Sequence, residues 1–349
     1  MEDNILDFLE EIEPHYKGLG MPILYGVLSI MANKSVFFIA IRGQGKTTAI
    51  TLIPELPDTL VSNWDSFTLQ GLDEDVGQVH DAHLVWKVLD FNTLSKYHRR
   101  IFLDVVPKII TDGSYHHHTK SLNIDIANCQ LNLLVAIQPM LYSELCRTES
   151  RWESMAVDRF SKFLLLNPLR TSTYDAPLTV KIPETYIKPI MSLKACEIEK
   201  VENLYAGQEI SKGRRFLYMR DYLSAFASFC GDAEVTEKHA GLFYDLFNVY
   251  LEAFNRLQYA KDLESSVEIQ AGQMKLLNEV SSYEHGVTKK ELAKTFRVGE
   301  RNVEKYAVGL LESKLIEKDI RTGRGNCTTY RLAPPFTAFF DSYQERFTR

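Results

Sequence analysis

The chain has no two cysteines in a CxxC spacing: its five, Cys129, Cys146, Cys196, Cys230 and Cys327, are scattered. That scatter excludes a zinc knuckle and a dense disulfide framework, and it fits a reducing, cytoplasmic setting. No apolar run approaches the roughly 18–20 residues that a membrane-spanning helix needs, so no membrane partner is expected. There is no HExxH pair, nucleophile elbow or paired-acid signature, and with them go the hydrolytic sites they build. Internal repeats and low-complexity tracts are also missing. The N-terminus, MEDNILDFLEEIE, is acidic and amphipathic and predicts a helix rather than a secretory or transit peptide.

What the chain does have is size and an ordinary globular composition. Its 349 residues, 45% hydrophobic and 25% charged, suffice for two or three domains with buried cores. The net charge of −6 is uneven. From Ser266 onward there are 14 Lys and Arg against 11 Asp and Glu, which leaves the rest of the chain at −9. A mildly basic tail on an acidic body permits contact with nucleic acid through the tail.

Residues 1–35 read as two helices, the second being MPILYGVLSIMAN. Val36–Ala40 is five apolar residues without alternation, the pattern of a strand buried on both faces. HLVWKVLDFN (83–92) and CQLNLLVAIQ (129–138) read the same way, with SKYHRRIFLDVVPKII (95–110) between them as a helix. Helices alternating with continuous apolar strands predict a parallel sheet covered on both sides. TDGSYHHHTKSLNIDIAN is expected to leave that sheet as a β-hairpin, with DGS supplying turn chemistry.

Residues 171–190 are punctuated by proline and read as a linker, and 194–260 as helices. The last part is three helices, QAGQMKLLNEVSSY, TKKELAKTF and GERNVEKYAVGLLESKL, then two short strands around a Gly/Arg-rich turn, LIEKDIRTGRGNCTTYRLA. That order predicts a winged helix-turn-helix. The expected division is an α/β core over 1–175, a linker and helical part over 176–262, and a winged-helix domain over 263–349.

VFFIAIRGQGKTT, residues 36–48, carries a strand into a glycine loop that opens a helical pattern, TTAITLI. Such a loop turns backbone N–H groups and the positive end of a helix toward a phosphate. Gly43, Gln44, Gly45, Lys46, Thr47 and Thr48 are the candidate contacts for ATP. The glycines allow close approach, Lys46 would reach the β- and γ-phosphates, and the Thr47 hydroxyl would hold Mg2+. Ala40 stands where the GxxxxGK[ST] pattern begins with glycine, a change without strain where φ is negative.

Residues 20–240 resemble, with little gapping, the MoxR-like and MCM-like branch of the AAA+ ATPases. MPILYGVLSIMANKSVFFIAIRGQGKTT is similar to that branch's Walker A strand and the helix before it. KVLDFNTLSKYHRRIFLDVVPKIITDG is similar to its Walker B strand and following helix, and LLVAIQP to its sensor 1 strand, with Gln138 where Asn is usual. MAVDRFSKFLLLNP resembles the arginine-finger segment, which places Arg159 as the finger. KGRRFLYMRDYLSAFASFCGDAEVTEKH resembles the sensor 2 helix and lid, which places Arg214 there; Arg170 and Arg215 compete for these two roles.

The resemblance implies an α/β fold: a P-loop parallel-sheet AAA+ core, a helical lid and a C-terminal winged helix-turn-helix domain. It implies ATP with Mg2+ held by Thr47 and Asp90, and Asp90, Gln138, Arg159 and Arg214 as catalytic residues. It also implies a homo-oligomer, ring or filament, because a finger acts on a neighbour's γ-phosphate. One departure matters. The branch carries an Asp-Glu pair at Walker B, and here the tripeptide is Leu89-Asp90-Phe91. An ungapped alignment through Asn92 puts Asp90 at the Glu, and an alignment on the apolar run puts it at the Asp. Either way one acid serves two roles, so ATP binding is expected and hydrolysis is expected to be slow.

His116, His117 and His118 alternate faces along a strand, which argues for an exposed hairpin and against a metal site. By the same resemblance, that hairpin matches an insert that projects toward the pore of related ring motors, where Lys120 and the histidines would touch substrate. His98, Arg99 and Arg100 read as a polar helix face. In the C-terminal domain the recognition helix is expected at Gly299–Lys314, with Arg301, Asn302 and Lys305 toward bases or phosphates. Lys289 and Lys290 begin the preceding helix, and Arg321 and Arg324 lie at the wing tip. Glu300 and Glu304 oppose phosphate on the same helix, and winged helices also dock proteins. The favoured expectation is an oligomeric ATPase acting on DNA in replication initiation, translocation or loading. The alternatives are a MoxR-like remodeller of a protein client and a nucleotide-gated DNA-binding switch with weak hydrolysis.

Overall fold

The unalternating apolar strands do form the middle of a parallel sheet. The computed structural model describes residues 2–40, 43–152, 158–165, 190–191, 195–208, 210–261, 267–283, 285–321 and 327–334. The chain begins with α1 (Glu2–Ile12) and α2 (Gly20–Met31), which lead into β1 (Ser35–Ile39) and α3 (Lys46–Leu52). Next come β2 (Thr59–Trp64), α4 (Leu69–Val76), β3 (Gln78–His80), β4 (His83–Val88) and α5 (Lys96–Asp112). β5 (Tyr115–His118), β6 (Asn123–Ala127), β7 (Gln130–Ile137), α6 (Pro139–Thr148), α7 (Ser150–Trp152) and β8 (Phe160–Leu164) follow. β9 (Ile190–Met191), α8 (Ala195–Ala206), α9 (Lys212–Phe229), β10 (Glu234–Val235) and α10 (Glu237–Lys261) come after them. The C-terminal part holds α11 (Val267–Ser281), β11 (Val287–Thr288), α12 (Lys289–Phe296), α13 (Glu300–Glu312), β12 (Ile316–Arg321) and β13 (Cys327–Leu332).

Five strands pair in the order β2-β4-β7-β1-β8, every pair parallel. β7 therefore lies between β1 and β4, and the three strands deliver residues 40, 89 and 138 to one edge of the sheet. β1 alternates between two cores. Phe37 and Ile39 join Trp86, Val88, Val135 and Ile137 under α4, α5 and α6, while Val36 and Phe38 join Val85, Leu134, Ala136 and Phe163 under α1–α3 and α8–α10. A parallel sheet covered on both faces needs this two-sided apolar content. The outer edge of β8 is closed by a side chain: Gln208 accepts from the Lys162 N–H (2.8 Å) and donates to its carbonyl (3.1 Å). One amide thus stands in for a neighbouring strand.

The hairpin is present, but its turn is not where DGS put it. Gly113, at φ 66°, is the left-handed cap that ends α5, and the turn between β5 and β6 is Thr119–Leu122, closed by Thr119 N–H to Leu122 O at 2.8 Å. Helix caps and tight turns use the same residues, and α5 simply runs to Asp112 before yielding. β6 also pairs with β3, completing a separate three-stranded sheet. The linker expected over 171–190 lies outside the described residues except for Ile190, which starts β9 and pairs with β10.

At the C-terminal end, α11, α12 and α13 stand with a three-stranded antiparallel sheet ordered β11-β13-β12. β11 was not anticipated from the sequence; it is only two residues long. A capping box between Thr288 and Glu291 starts α12, and left-handed Arg297 (φ 54°) ends it before α13 begins. α11 packs on α6, and Arg256 on α10 donates to the Lys314 carbonyl at 3.2 Å. Among the described residues no helix is long and apolar enough to cross a membrane.

Candidate functional site

The loop after β1 brings two left-handed glycines to the start of α3. Ala40 is buried, donates its N–H to Ile137 O at 3.2 Å, and does not adopt a positive φ, so alanine fits without strain. Ile41 and Arg42 are outside the described residues. Gly43 (φ 87°) and Gly45 (φ 81°) are both left-handed, and a Cβ on Gly43 would meet nothing within 4 Å. A Cβ on Gly45 would instead come within 2.9 Å of Leu19 Cδ2, so this glycine is needed for packing as well. Gly45 caps α3, whose first residue, Lys46, is buried, as is Gln44, while Thr47 is exposed and Thr48 half-buried.

Thr47 faces the end of β4. Its hydroxyl donates to the Leu89 carbonyl at 2.9 Å. Its oxygen keeps lone pairs that can turn to a metal ion. Phe91 is fully buried among Phe102 and Trp152 and offers nothing to the site, whereas Asp90 is half-buried at its rim. Thr47 thus meets the backbone of Leu89, the residue before Asp90. Gln138 caps α6 at the end of β7, and its N–H donates to Asn92 Oδ1 at 3.3 Å. These residues fit a magnesium triphosphate with one carboxylate in attendance instead of two.

The arginines are elsewhere. Arg159 immediately precedes β8, so it stands at the N-terminal ends of the strands, opposite the cradle. Its guanidinium donates to Thr111 Oγ1 and to Pro107 O (3.3 Å), near the C-terminal end of α5. Arg214 pairs with Asp158 at 2.8 Å, and the two arginines line one cleft of about 460 Å3 with Lys34, Gln130 and Tyr218. Arg215 instead donates Nε to the Ile210 carbonyl, and Arg170 is outside the described residues.

Burial opposes the charge on Asp158, but the Ser211 N–H and hydroxyl and the Arg214 guanidinium outweigh it and hold its pKa below the ordinary 3.8. A depressed folded pKa means that this pair contributes fully above the ordinary aspartate value and is lost as pH falls through the lower folded one. The urea midpoint of Asp158→Asn is thus expected below that of the parent at pH 7, with the gap closing below pH ~4. A gap that persisted unchanged into acid would contradict the pairing.

On the C-terminal unit, Lys290, Arg301, Asn302 and Lys305 are exposed. Lys289 is not free to reach a phosphate as expected, because it pairs with Glu300 (3.2 Å) and Glu304 (3.0 Å) and its pKa is raised by those bonds. The same contact removes part of the repulsion that these two acids would offer to DNA. Arg321 ends β12 with its side chain outside the described residues, and Arg324 is outside them altogether. Val308 is 51% exposed, seven residues beyond Arg301 on the same face of α13. Sequence reasoning missed Asn92, which donates to Asp90 and accepts from the Gln138 N–H; its place two residues after Asp90 was the available signal.

His116 pairs with Asp125 at 2.6 Å and His80 lies 3.4 Å from the same carboxylate, while His118 meets Asn123. Among the described residues no group of three or more ligand side chains can hold a metal ion.

No family model and no curated protein matches the chain. Among solved structures it is similar to a full-length MCM homolog from Methanopyrus kandleri, with 13% identity, TM-score 0.42, and coverage of 72% of this chain and 59% of that one. It is similar to the Aeropyrum pernix ORC1 protein in complex with DNA, with 10% identity, TM-score 0.30, and coverage of 95% and 92%. The apo C-terminal region of NrS-1 matches with 12% identity, TM-score 0.27, and coverage of 95% and 74%. The chain thus spans about three fifths of the length of the MCM homolog.

Proposed function

We propose that the chain is an ATP-binding AAA+ ATPase that works on DNA as a homo-oligomer in a reducing, cytoplasmic setting. One observation supports this above the others. The cradle stands at the C-terminal edge of the sheet, with Lys46, Thr47 and Asp90, and the arginine pair stands at the N-terminal edge. Five strand residues at about 3.3 Å each separate the two by roughly 16 Å, too far for one chain to close the site on itself. A neighbouring copy that turns its Arg159 and Arg214 toward this cradle completes it. Gly43, Gln44, Gly45, Lys46 and Thr48 would hold the phosphates, and Thr47 and Asp90 the metal. Mg2+-ATP brings the reactive phosphoanhydride, and these side chains contribute position and charge.

The C-terminal unit is read as a winged helix that lays α13 in a groove of DNA. Arg301→Ala and Lys305→Ala are each expected to lower DNA affinity uniformly across sequences and to reduce the salt slope by about 1. Titrations of duplex DNA from low to physiological salt check this; slopes equal to the parent's would mean that α13 docks elsewhere. ATPase rates with single-stranded DNA, duplex DNA or neither test the whole reading, with DNA stimulation expected. Indifference to DNA would reject the DNA motor.

A second reading, a nucleotide-gated DNA-binding switch, is favoured by the Thr47 contact. Its hydroxyl meets a backbone carbonyl at the position where the related branch has a carboxylate. Binding without turnover is its signature.

A further inference from the structure

Asn92 joins the ends of β4 and β7, the two strands on one side of β1 and its loop. We propose that it is a positioning residue, orienting the Asp90 carboxylate and tying it to Gln138, so that the acid on β4 and the polar cap on β7 move together. This rests on the nucleotide reading above.

Four hydrogen bonds carry it. Asp90 Oδ1 accepts from the Asn92 N–H at 3.1 Å and from Asn92 Nδ2 at 2.7 Å. Asn92 Oδ1 accepts from the Gln138 N–H at 3.3 Å, and Arg99 Nη2 donates to the Asn92 carbonyl at 3.2 Å. The amide can face only this way, because a carboxylate accepts and a backbone N–H donates. Both donors fall on the same oxygen of Asp90, which leaves Oδ2 outside these bonds.

Arg99 reaches the turn through Nη2, while its Nε is buried without a hydrogen-bond partner. Below it, Phe91 is fully buried and removes the freedom of the chain between Asp90 and Asn92. A site with one acid depends on holding it still, since a misplaced base loses most of its effect. The Asp90 side chain is oriented here by an amide that reads the position of the neighbouring strand.

Two variants separate the two bonds. Asn92→Asp keeps an acceptor for the Gln138 N–H but sets a second acceptor against Asp90, and Asn92→Ala removes both contacts. In the full chain with Mg2+ and ATP, single-turnover hydrolysis is expected to fall about 10- to 100-fold in each, with ATP affinity within about twofold of the parent. Hydrogen exchange at the Gln138 amide reads the tie itself: faster in Asn92→Ala, parent-like in Asn92→Asp. Parental hydrolysis in Asn92→Asp, or undiminished protection of Gln138 in Asn92→Ala, overturns the proposal. Should the parent bind no ATP, the nucleotide reading fails by itself; in that case, or where ATP binds without turnover, exchange at Gln138 still decides whether Asn92 links the strands.

Discussion

Replacing Lys46 by methionine is expected to weaken ATP binding roughly 10- to 150-fold. The ammonium is the part that a phosphate needs, and a charge-assisted hydrogen bond contributes roughly 1.5–3 kcal/mol. Lys46 is buried at the start of α3, and methionine keeps most of its volume. Ligand linkage turns the difference into a thermal measurement. ATP at 100 times its dissociation constant stabilises the parent by about 2.7 kcal/mol, and the same concentration stabilises a 100-fold weaker variant by only about 0.4 kcal/mol. Most of the ATP-induced rise in Tm should therefore vanish in Lys46→Met. An unchanged rise would place the nucleotide away from this loop.

The parts of the molecule that were legible in its sequence are those set by local pattern. β1, β4 and β7 are rich in apolar residues without alternation because both their faces are buried, and α12 announces its start with Thr288 and Glu291. The glycine loop is legible because only glycine adopts φ near 80° easily. What local pattern does not contain is pairing across distance. Lys289 counts as a cation in any inventory, yet it is spent on two acids of the next helix. Lys87 sits in a strand and would be expected at the surface, but it is buried and donates to the Ile53 carbonyl at the end of α3. Burial lowers its pKa. Asn92 reads as loop filler, and its partner Gln138 is 46 residues away. Strand order is another such case, since nothing within β7 says that it lies between β1 and β4.

That order underlies the prediction with the largest effect. Arg159→Ala is expected to lower ATP turnover by about 10³-fold or more, and Lys46→Met to lower it by weakening binding, so each protein alone is nearly inactive. Mixed in equal amounts, they should regain activity. The Arg159→Ala chain keeps an intact cradle, the Lys46→Met chain keeps an intact arginine, and about a quarter of randomly formed interfaces bring one to the other. Activity should follow the product of the two fractions and peak near equal mixing. The isolated chain already gives Arg159 a duty, bonding to Pro107 and Thr111 on α5, so loss of activity in the single variant does not by itself locate the arginine's target. Recovery on mixing does, because a helix contact within one chain cannot be supplied by another. A mixture as inactive as its components would mean that Arg159 serves only α5, and that the cradle acts without a neighbour's arginine.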